Sequence, residues 1–114
     1  MSFEIQHYVT GGGIDLFAEW FGRLSDRQAQ ARIQVRIDRM ERGLFGDCDP
    51  VGDGVSELRI DWGPGYRIYF ARAGERVVVL LCAGDKRKQQ TDINRAKECW
   101  HDYQERARPK GRAD

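Results

Sequence analysis

The chain has 114 residues, of which 40% are hydrophobic and 32% charged, with a formal net charge of +1. This length fits one domain with a real apolar core, and the composition excludes a disordered chain. No apolar run approaches the roughly 20 residues of a membrane span. The net charge is too small to indicate a nucleic-acid partner by itself, so any electrostatic site must rest on local clustering.

The N-terminal residues show no basic region followed by an apolar one, so no export signal is visible and a cytoplasmic location is expected. The three cysteines (Cys48, Cys82, Cys99) are widely spaced and form no CxxC pair, which predicts reduced, structural thiols. His7 and His101 are far apart and have no ligand partner beside them, so neither a metal nor another cofactor is expected.

The first half of the chain predicts one strand and two helices. Alternating apolar residues over 3–9 indicate a strand, and apolar spacing over 14–24 indicates a helix. A second helix is expected to open at Ser25, with Gln28 at capping-box spacing, and to end at Gly43. Its apolar stripe is formed by Ala29, Ile33, Ile37, Met40 and Leu44.

Four arginines of this second helix lie off its apolar stripe: Arg32, Arg36, Arg39 and Arg42. They predict a solvated face, and an interaction stripe for nucleic acid or a partner protein is the sharper alternative.

The second half predicts a loop, three strands and a helix. The loop covers 44–56, and the final helix covers about 91–105, with Thr91 or Asp92 as its cap. The strands, separated by glycine-containing turns, are 57–62, 66–72 and 76–83. Because the third strand is apolar on both faces, it should be central and covered. A basic polar tail, 106–114, follows the helix.

The expected element order is therefore β-α-α-β-β-β-α in one α+β domain, residues 1–105. The strands that follow the helices should pair as an antiparallel meander, with the two-helix hairpin on one face. The opposite face is expected to stay available for a ligand.

Alternation along these strands predicts a cluster of basic and phenolic side chains. Arg59 should point away from the apolar face of its strand, and Arg67 and Tyr69 should share that side of the next strand, about 5 Å away. The turn after the last strand can bring Lys86 to the same edge, with Gln89 close behind.

This set suits RNA cleavage without a metal. Arginine offers forked donors to phosphate oxygens, lysine beside other cations can act in proton transfer, and tyrosine can stack on a base or exchange a proton. Two plainer interpretations stay open: Arg59 and Arg67 could pair across strands with Glu57 and Asp61, or the face could bind a ligand without chemistry.

Three segments resemble a known family. They are AEWFGRLSDRQAQARIQVRIDRMERGLFGD, GVSELRIDWGPGYRIYF, and GDK followed by Gln89, Asp92, Ile93 and Ala96. Over about residues 7–104 the chain is similar to the RelE/ParE superfamily of type II toxin–antitoxin toxins. Within it, the chain most resembles the HigB-like addiction module killer proteins.

The resemblance implies a RelE-like fold and a metal-independent mRNA endoribonuclease that inhibits translation, often on the ribosome. It also implies a cognate antitoxin, commonly a helix-turn-helix protein. Arg59, Arg67, Tyr69 and Lys86 match the positions expected at the catalytic site, and the resemblance does not fix which residue is the general base, for which Lys86 is the candidate. Further RNA contacts are expected from Arg87, Lys88 and Gln89.

The chain departs from the family pattern at several positions. Asp49 stands where a lysine is usual, Ala83 replaces the first glycine of a GGDK motif, and Arg87 and Lys88 replace small polar residues. The first change removes a possible RNA contact, and the last two add positive charge. Two alternatives therefore remain: a ParE-like poison of DNA gyrase without nuclease activity, and an inert relative that only binds an antitoxin.

Overall fold

The computed structural model describes residues 2–108, which form a five-stranded sheet and three α-helices. In chain order the elements are β1 (Glu4–His7), α1 (Leu16–Gly22), α2 (Arg27–Glu41), β2 (Cys48–Gly52), β3 (Val55–Ile60), β4 (Tyr66–Ala73), β5 (Val77–Asp85), a 3-10 turn (Lys86–Lys88) and α3 (Gln89–Ala107). The predicted α+β class is confirmed. Of the predicted tail, 106–107 belong to α3, and residues from 109 onward lie outside the described residues.

The strands lie in the order β1-β5-β4-β3-β2. The last four form an antiparallel meander, and β1 pairs in parallel with β5 at the opposite edge. As predicted, β5 is central, and it is buried along almost its whole length because helices cover both of its faces.

Two apolar clusters lie on opposite faces of the sheet. The α1–α2 hairpin covers one face, where Ile33 and Met40 pack against Leu58, Ile68 and Leu80. The other cluster joins α3 to the sheet through Tyr69, Val79, Leu81, Ile93, Ala96 and Trp100. The expectation that this second face stays available for a ligand is wrong, because the apolar side of α3 is buried against it.

Element boundaries differ from the prediction where polar side chains compete for a cap. Asp26, not Ser25, caps α2: its carboxylate accepts hydrogen bonds from the backbone N–H groups of Gln28 and Ala29. A hydrogen bond from the Trp62 indole, together with these backbone bonds, holds the pKa of Asp26 below its usual value. α3 begins at Gln89 rather than at Thr91 or Asp92.

The segment predicted as a loop contains the edge strand β2. It pairs with β3 through a register that shifts between Pro50 and Gly52. Proline and glycine are uncommon inside strands, so the sequence did not predict this one. An edge strand tolerates both residues because one of its sides makes no ladder hydrogen bonds. β2 matters for function because Asp49 lies on it.

Candidate nucleic-acid site

A pocket of about 180 Å³ opens beside the β3–β4 turn. It is lined by Asp47, Arg59, Ile60, Asp61, Gly65, Tyr66, Arg67 and Lys86. Three of the four side chains expected at a catalytic site therefore meet here. Arg59 and Arg67 face one another in register on β3 and β4, and Lys86 follows β5.

A buried carboxylate holds the two guanidinium groups together. Glu57 Oε2 accepts hydrogen bonds from Nη1 of Arg67 at 2.8 Å and from Nη1 of Arg59 at 3.1 Å. The other oxygen, Oε1, accepts from Nε2 of Gln89 at 3.0 Å. Glu57 thus connects β3, β4 and the start of α3, and places Gln89 behind the arginines rather than on an open RNA surface.

Two exposed carboxylates occupy the outer side of Arg59. Asp47 Oδ1 accepts from Nη2 at 2.7 Å and from Nε at 3.2 Å, and Asp49 Oδ2 accepts from Nη2 at 2.8 Å. Their side chains are 58% and 62% exposed, whereas that of Arg59 is 29% exposed. The hydrogen bond from Arg59 holds the pKa of Asp47 below its usual value.

The alternative in which the arginines pair with nearby acids is thus partly correct. Glu57 binds both arginines, whereas Asp61 forms no ion pair within residues 2–108. Around Arg59, Arg67 and Lys86, four carboxylates stand against three positive charges: Glu57, Asp47, Asp49 and Asp61. The cations are therefore fully balanced before RNA binds, and an incoming phosphate must replace the exposed carboxylates at Arg59.

Arg36 braces this region, a role that the sequence did not indicate. Its guanidinium donates to the backbone carbonyl groups of Arg59, Phe45 and Asp47. Burial lowers its pKa below the usual arginine value. Arg36 therefore does not belong to a solvated face of α2, contrary to the prediction. Its side chain holds the segment before β2 against the end of β3.

Lys86 lies at the rim of the pocket, against the β3–β4 turn. Gly65 in that turn has φ +83°, and a Cβ there would stand 3.1 Å from Cε of Lys86. A side chain at this position would push the lysine stem away. Within residues 2–108 Lys86 forms no ion pair, so its ammonium group keeps its donors available.

Tyr69 does not reach the pocket. Its side chain is fully buried beneath α3, and within the described residues its hydroxyl donates no hydrogen bond. Burial, followed by the negative charges of Glu57 and Asp92, raises its pKa above the usual tyrosine value. In this conformation Tyr69 neither stacks on a base nor ionises readily.

The remaining predicted RNA contacts differ in their availability. Arg87 is 81% exposed and binds Asp85 through both its side chain and its backbone N–H. Lys88 is exposed and forms no ion pair within residues 2–108. Lys88 therefore adds positive charge just before α3, whereas Asp85 balances the charge of Arg87.

A close contact sets the approach of α3 to the sheet. An ideal Cβ on Gly84 would lie 2.0 Å from Oδ2 of Asp92, so only glycine leaves room for this carboxylate. Asp92 is buried, and burial raises its pKa. This close approach explains why the residue before Asp85 is glycine.

Other classes of site have weaker support among residues 2–108. No group of three or more His, Cys, Asp and Glu side chains is arranged there to hold a metal ion. Cys48, Cys82 and Cys99 are free thiols. The helices of this part of the chain are too short or too polar to cross a membrane.

Comparison with known proteins places the chain in a family. Residues 19–99, which run from within α1 through α2 and the meander into the first part of α3, match the family model described as phage-derived protein Gp49-like. A Haemophilus influenzae protein, described as uncharacterized, is 47% identical over 81 residues, covering 71% of this chain and 82% of that protein. The chain therefore belongs to the phage-derived Gp49-like family.

Proposed function

We propose that this protein is the toxin of a type II toxin–antitoxin module, of the RelE/ParE and HigB-like kind, and that it cleaves mRNA in the pocket beside the β3–β4 turn. One observation carries the proposal: Arg59, Arg67 and Lys86, from three separate segments, line one solvent-open pocket, and a buried carboxylate holds the two guanidinium groups. Forked cationic donors at a fixed spacing suit a phosphodiester.

The proposed reaction needs no group outside the RNA and the protein. The 2′-oxygen attacks the adjacent phosphorus and loses its proton, the bond from phosphorus to the 5′-oxygen breaks, and that oxygen gains a proton. The products are a 2′,3′-cyclic phosphate and a 5′-hydroxyl. Arg59 and Arg67 would bind the non-bridging oxygens as negative charge develops on them. Lys86 is the candidate for proton transfer.

Access of RNA depends on the three carboxylates that bind Arg59, of which Asp47 and Asp49 are exposed and Glu57 is buried. Exposed ion pairs contribute little to stability, so a phosphate can replace Asp47 and Asp49 with small loss. Glu57 is buried and stays in place, so the guanidinium keeps its orientation during the exchange. In this scheme Tyr69 supports the pocket from below rather than contacting RNA.

The proposal includes partners and a location. The toxin would act in the cytoplasm on mRNA, on or off the ribosome, and a helix-turn-helix antitoxin would inhibit it. Arg87 and Lys88 are the proposed further contacts to the RNA backbone, because their exposed cations continue from the pocket.

One observation favours a second candidate, a ParE-like poison of DNA gyrase that performs no RNA chemistry. The carboxylates of Glu57, Asp47 and Asp49 neutralise the basic cluster, as expected if the arginines serve structure and the surface binds protein. The free ammonium group of Lys86 at the pocket rim favours the nuclease over this alternative.

Primer-extension mapping of transcript ends after a brief pulse of expression separates the candidates. The chain should produce cuts within reading frames, and Arg67→Ala should reduce them about 100- to 1000-fold, the usual effect of removing one donor to a developing negative charge. Arg76→Ala, in the exposed turn before β5, is the matched control and should cut normally. Intact transcripts with DNA breaks would instead identify the gyrase poison.

A further inference from the structure

Two rows of residues on one face of the sheet surround the candidate RNA pocket. The first row pairs across three strands, β3, β4 and β5, and consists of Arg59, Arg67 and Gly84. The second row stands two residues further along each strand, about 7 Å away, and consists of Asp61, Gly65 and Lys86. Side chains two residues apart share a face of a sheet, and all of these residues except Gly84 line the pocket.

Gly65 leaves a gap between Asp61 and Lys86. These two residues follow the ends of β3 and β5, so two strand spacings, about 10 Å, separate their backbones. A Cβ on Gly65 would stand 3.1 Å from Cε of Lys86 and would narrow the gap. The carboxylate and the ammonium group form no ion pair with each other. A small ligand can therefore lie between them.

Asp61 differs from the other carboxylates around the pocket, because each of those accepts hydrogen bonds from an arginine. They are Glu57, Asp47 and Asp49, which bind Arg59, and Asp85, which binds Arg87. Asp61 is exposed, and none of the residues that the structure describes donates a hydrogen bond to its carboxylate. Its lone pairs are free to accept a proton from a ligand.

The other side chains of the pocket are less suited to proton transfer. Arg59 and Arg67 stay cationic in a protein, so they bind phosphate oxygens without exchanging protons. Tyr66 is only 9% exposed, and its ring packs against Trp20. The free carboxylate of Asp61 and the free ammonium group of Lys86 are thus the best placed acceptor and donor.

We propose that Asp61 is the general base and Lys86 the general acid of RNA cleavage in this pocket, an assignment that rests on the proposed function. Asp61 accepts the proton of the 2′-hydroxyl while the bond from the 2′-oxygen to phosphorus forms. Lys86 donates a proton to the 5′-oxygen while the bond from phosphorus to that oxygen breaks. Exchange with water then returns a proton to Lys86 and removes one from Asp61.

The positions of the two groups suit this reaction. In an in-line displacement the attacking and leaving oxygens stand on opposite sides of phosphorus, and Asp61 and Lys86 stand on opposite sides of the gap above Gly65. Arg59 and Arg67, in the next row, face the non-bridging oxygens. The assignment also separates two roles that one lysine would otherwise have to fill in turn.

Single-turnover cleavage of a synthetic RNA that carries a mapped cut site, with ribosomes present, tests the base. Asp61→Asn keeps the size of the side chain and should slow cleavage about 100- to 10,000-fold, the usual contribution of a general base. Its affinity for the 2′-deoxy form of the same oligonucleotide should stay the same or rise, because a negative charge is removed. An acid that merely repels RNA would instead give faster cleavage when it is replaced.

A matched control lies at the opposite end of β3. Asp53 in the β2–β3 turn has a side chain that is 75% exposed, so Asp53→Asn should cut at the original rate. Asp61→Gly leaves room for a small carboxylic acid, and added formate should restore part of its cleavage rate, whereas chloride at the same ionic strength should not. Formate should leave Lys86→Ala unchanged.

A substrate with sulfur in place of the 5′-oxygen tests the acid. A thiolate leaves without being protonated, so the loss of a general acid matters little for this substrate. Lys86→Ala should therefore cut ordinary RNA slowly and the sulfur-containing RNA almost normally. Asp61→Asn should cut both substrates slowly, because its defect lies in the attack by the 2′-oxygen.

The possible outcomes separate this assignment from the proposed function. The assignment alone is overturned if the original chain cuts RNA and Asp61→Asn cuts it equally fast or faster. It is also overturned if formate rescues Asp61→Gly no better than chloride, or if sulfur restores Asp61→Asn rather than Lys86→Ala. An original chain that cuts no RNA overturns the proposed function, and the assignment with it.

Discussion

Replacing Glu57 by glutamine should destabilise the fold and separate RNA binding from RNA cleavage. The amide keeps the size of the side chain but removes the negative charge that Arg59 and Arg67 share. If the amide oxygen faces the arginines, the amide nitrogen faces the donor of Gln89, and two donors then oppose each other.

The expected loss of stability follows from burial. Removing one partner of a fully buried ion pair costs about 3–5 kcal/mol, because the other charge stays behind uncompensated. The side chain of Arg67 remains 16% exposed, so water compensates part of the charge. We therefore expect a loss of about 2–3 kcal/mol, which for a chain of this size lowers the melting temperature by about 8–12 °C.

Thermal unfolding followed by circular dichroism measures the first effect, with Glu75→Gln, in the exposed β4–β5 turn, as the control. Fluorescence anisotropy with a 2′-deoxy oligonucleotide, which cannot be cleaved, measures the second. Since the pocket loses a negative charge, the affinity for the oligonucleotide should stay the same or rise, while the rate of cleavage of the matching RNA should fall. A melting temperature equal to that of the control, with normal cleavage, would refute the role assigned to Glu57.

Three further predictions concern other carboxylates of the described chain. Gly84→Ala should lower the free energy of unfolding, measured in urea, by about 1–3 kcal/mol, because the added methyl group meets Asp92. Asp92→Gly in the same chain should recover part of that loss, and purely additive effects of the two substitutions would contradict the contact. Asp47→Asn with Asp49→Asn should tighten oligonucleotide binding, measured by anisotropy, and unchanged affinity would mean that these acids do not compete with phosphate. In the folded state the pKa of Asp26 lies below the ordinary 3.8, so its stabilising effect is complete above pH 3.8 and is lost as the pH falls through the folded value. Asp26→Asn should therefore flatten the acid limb of a curve of unfolding free energy against pH. An unaltered limb would exclude Asp26 as its source.

Much of the sheet could be predicted because alternation fixes which side chains share a face. Leu58 and Ile68 point to the helical hairpin, and Arg59 and Arg67 point to the other side, as the pattern of their strands requires. The central position of β5 likewise follows from its continuous apolar sequence.

What the sequence could not predict depends on contacts between distant segments. The strand pattern placed Tyr69 on the face of the arginines, but its burial depends on where α3 packs. Likewise, Glu57 was visible as a possible partner of the arginines, but its contact with Gln89, 32 residues away, required the tertiary structure. The bracing role of Arg36 depends on three backbone carbonyl groups, for which a sequence carries no signal.

Arg59 has one buried ion-pair partner, Glu57, and two exposed ones, Asp47 and Asp49, and this difference also determines how salt affects oligonucleotide binding. Counter-ions screen Asp47 and Asp49 readily, since both face water, whereas Glu57 is shielded from them. Moderate ionic strength should therefore weaken the ion pairs of Asp47 and Asp49 with Arg59, which frees Arg59 for a phosphate. It should also weaken the attraction between the basic side chains and a polyanion, so the two effects on oligonucleotide affinity oppose one another. Oligonucleotide affinity should for this reason fall less steeply with added salt than the number of cations at the pocket suggests.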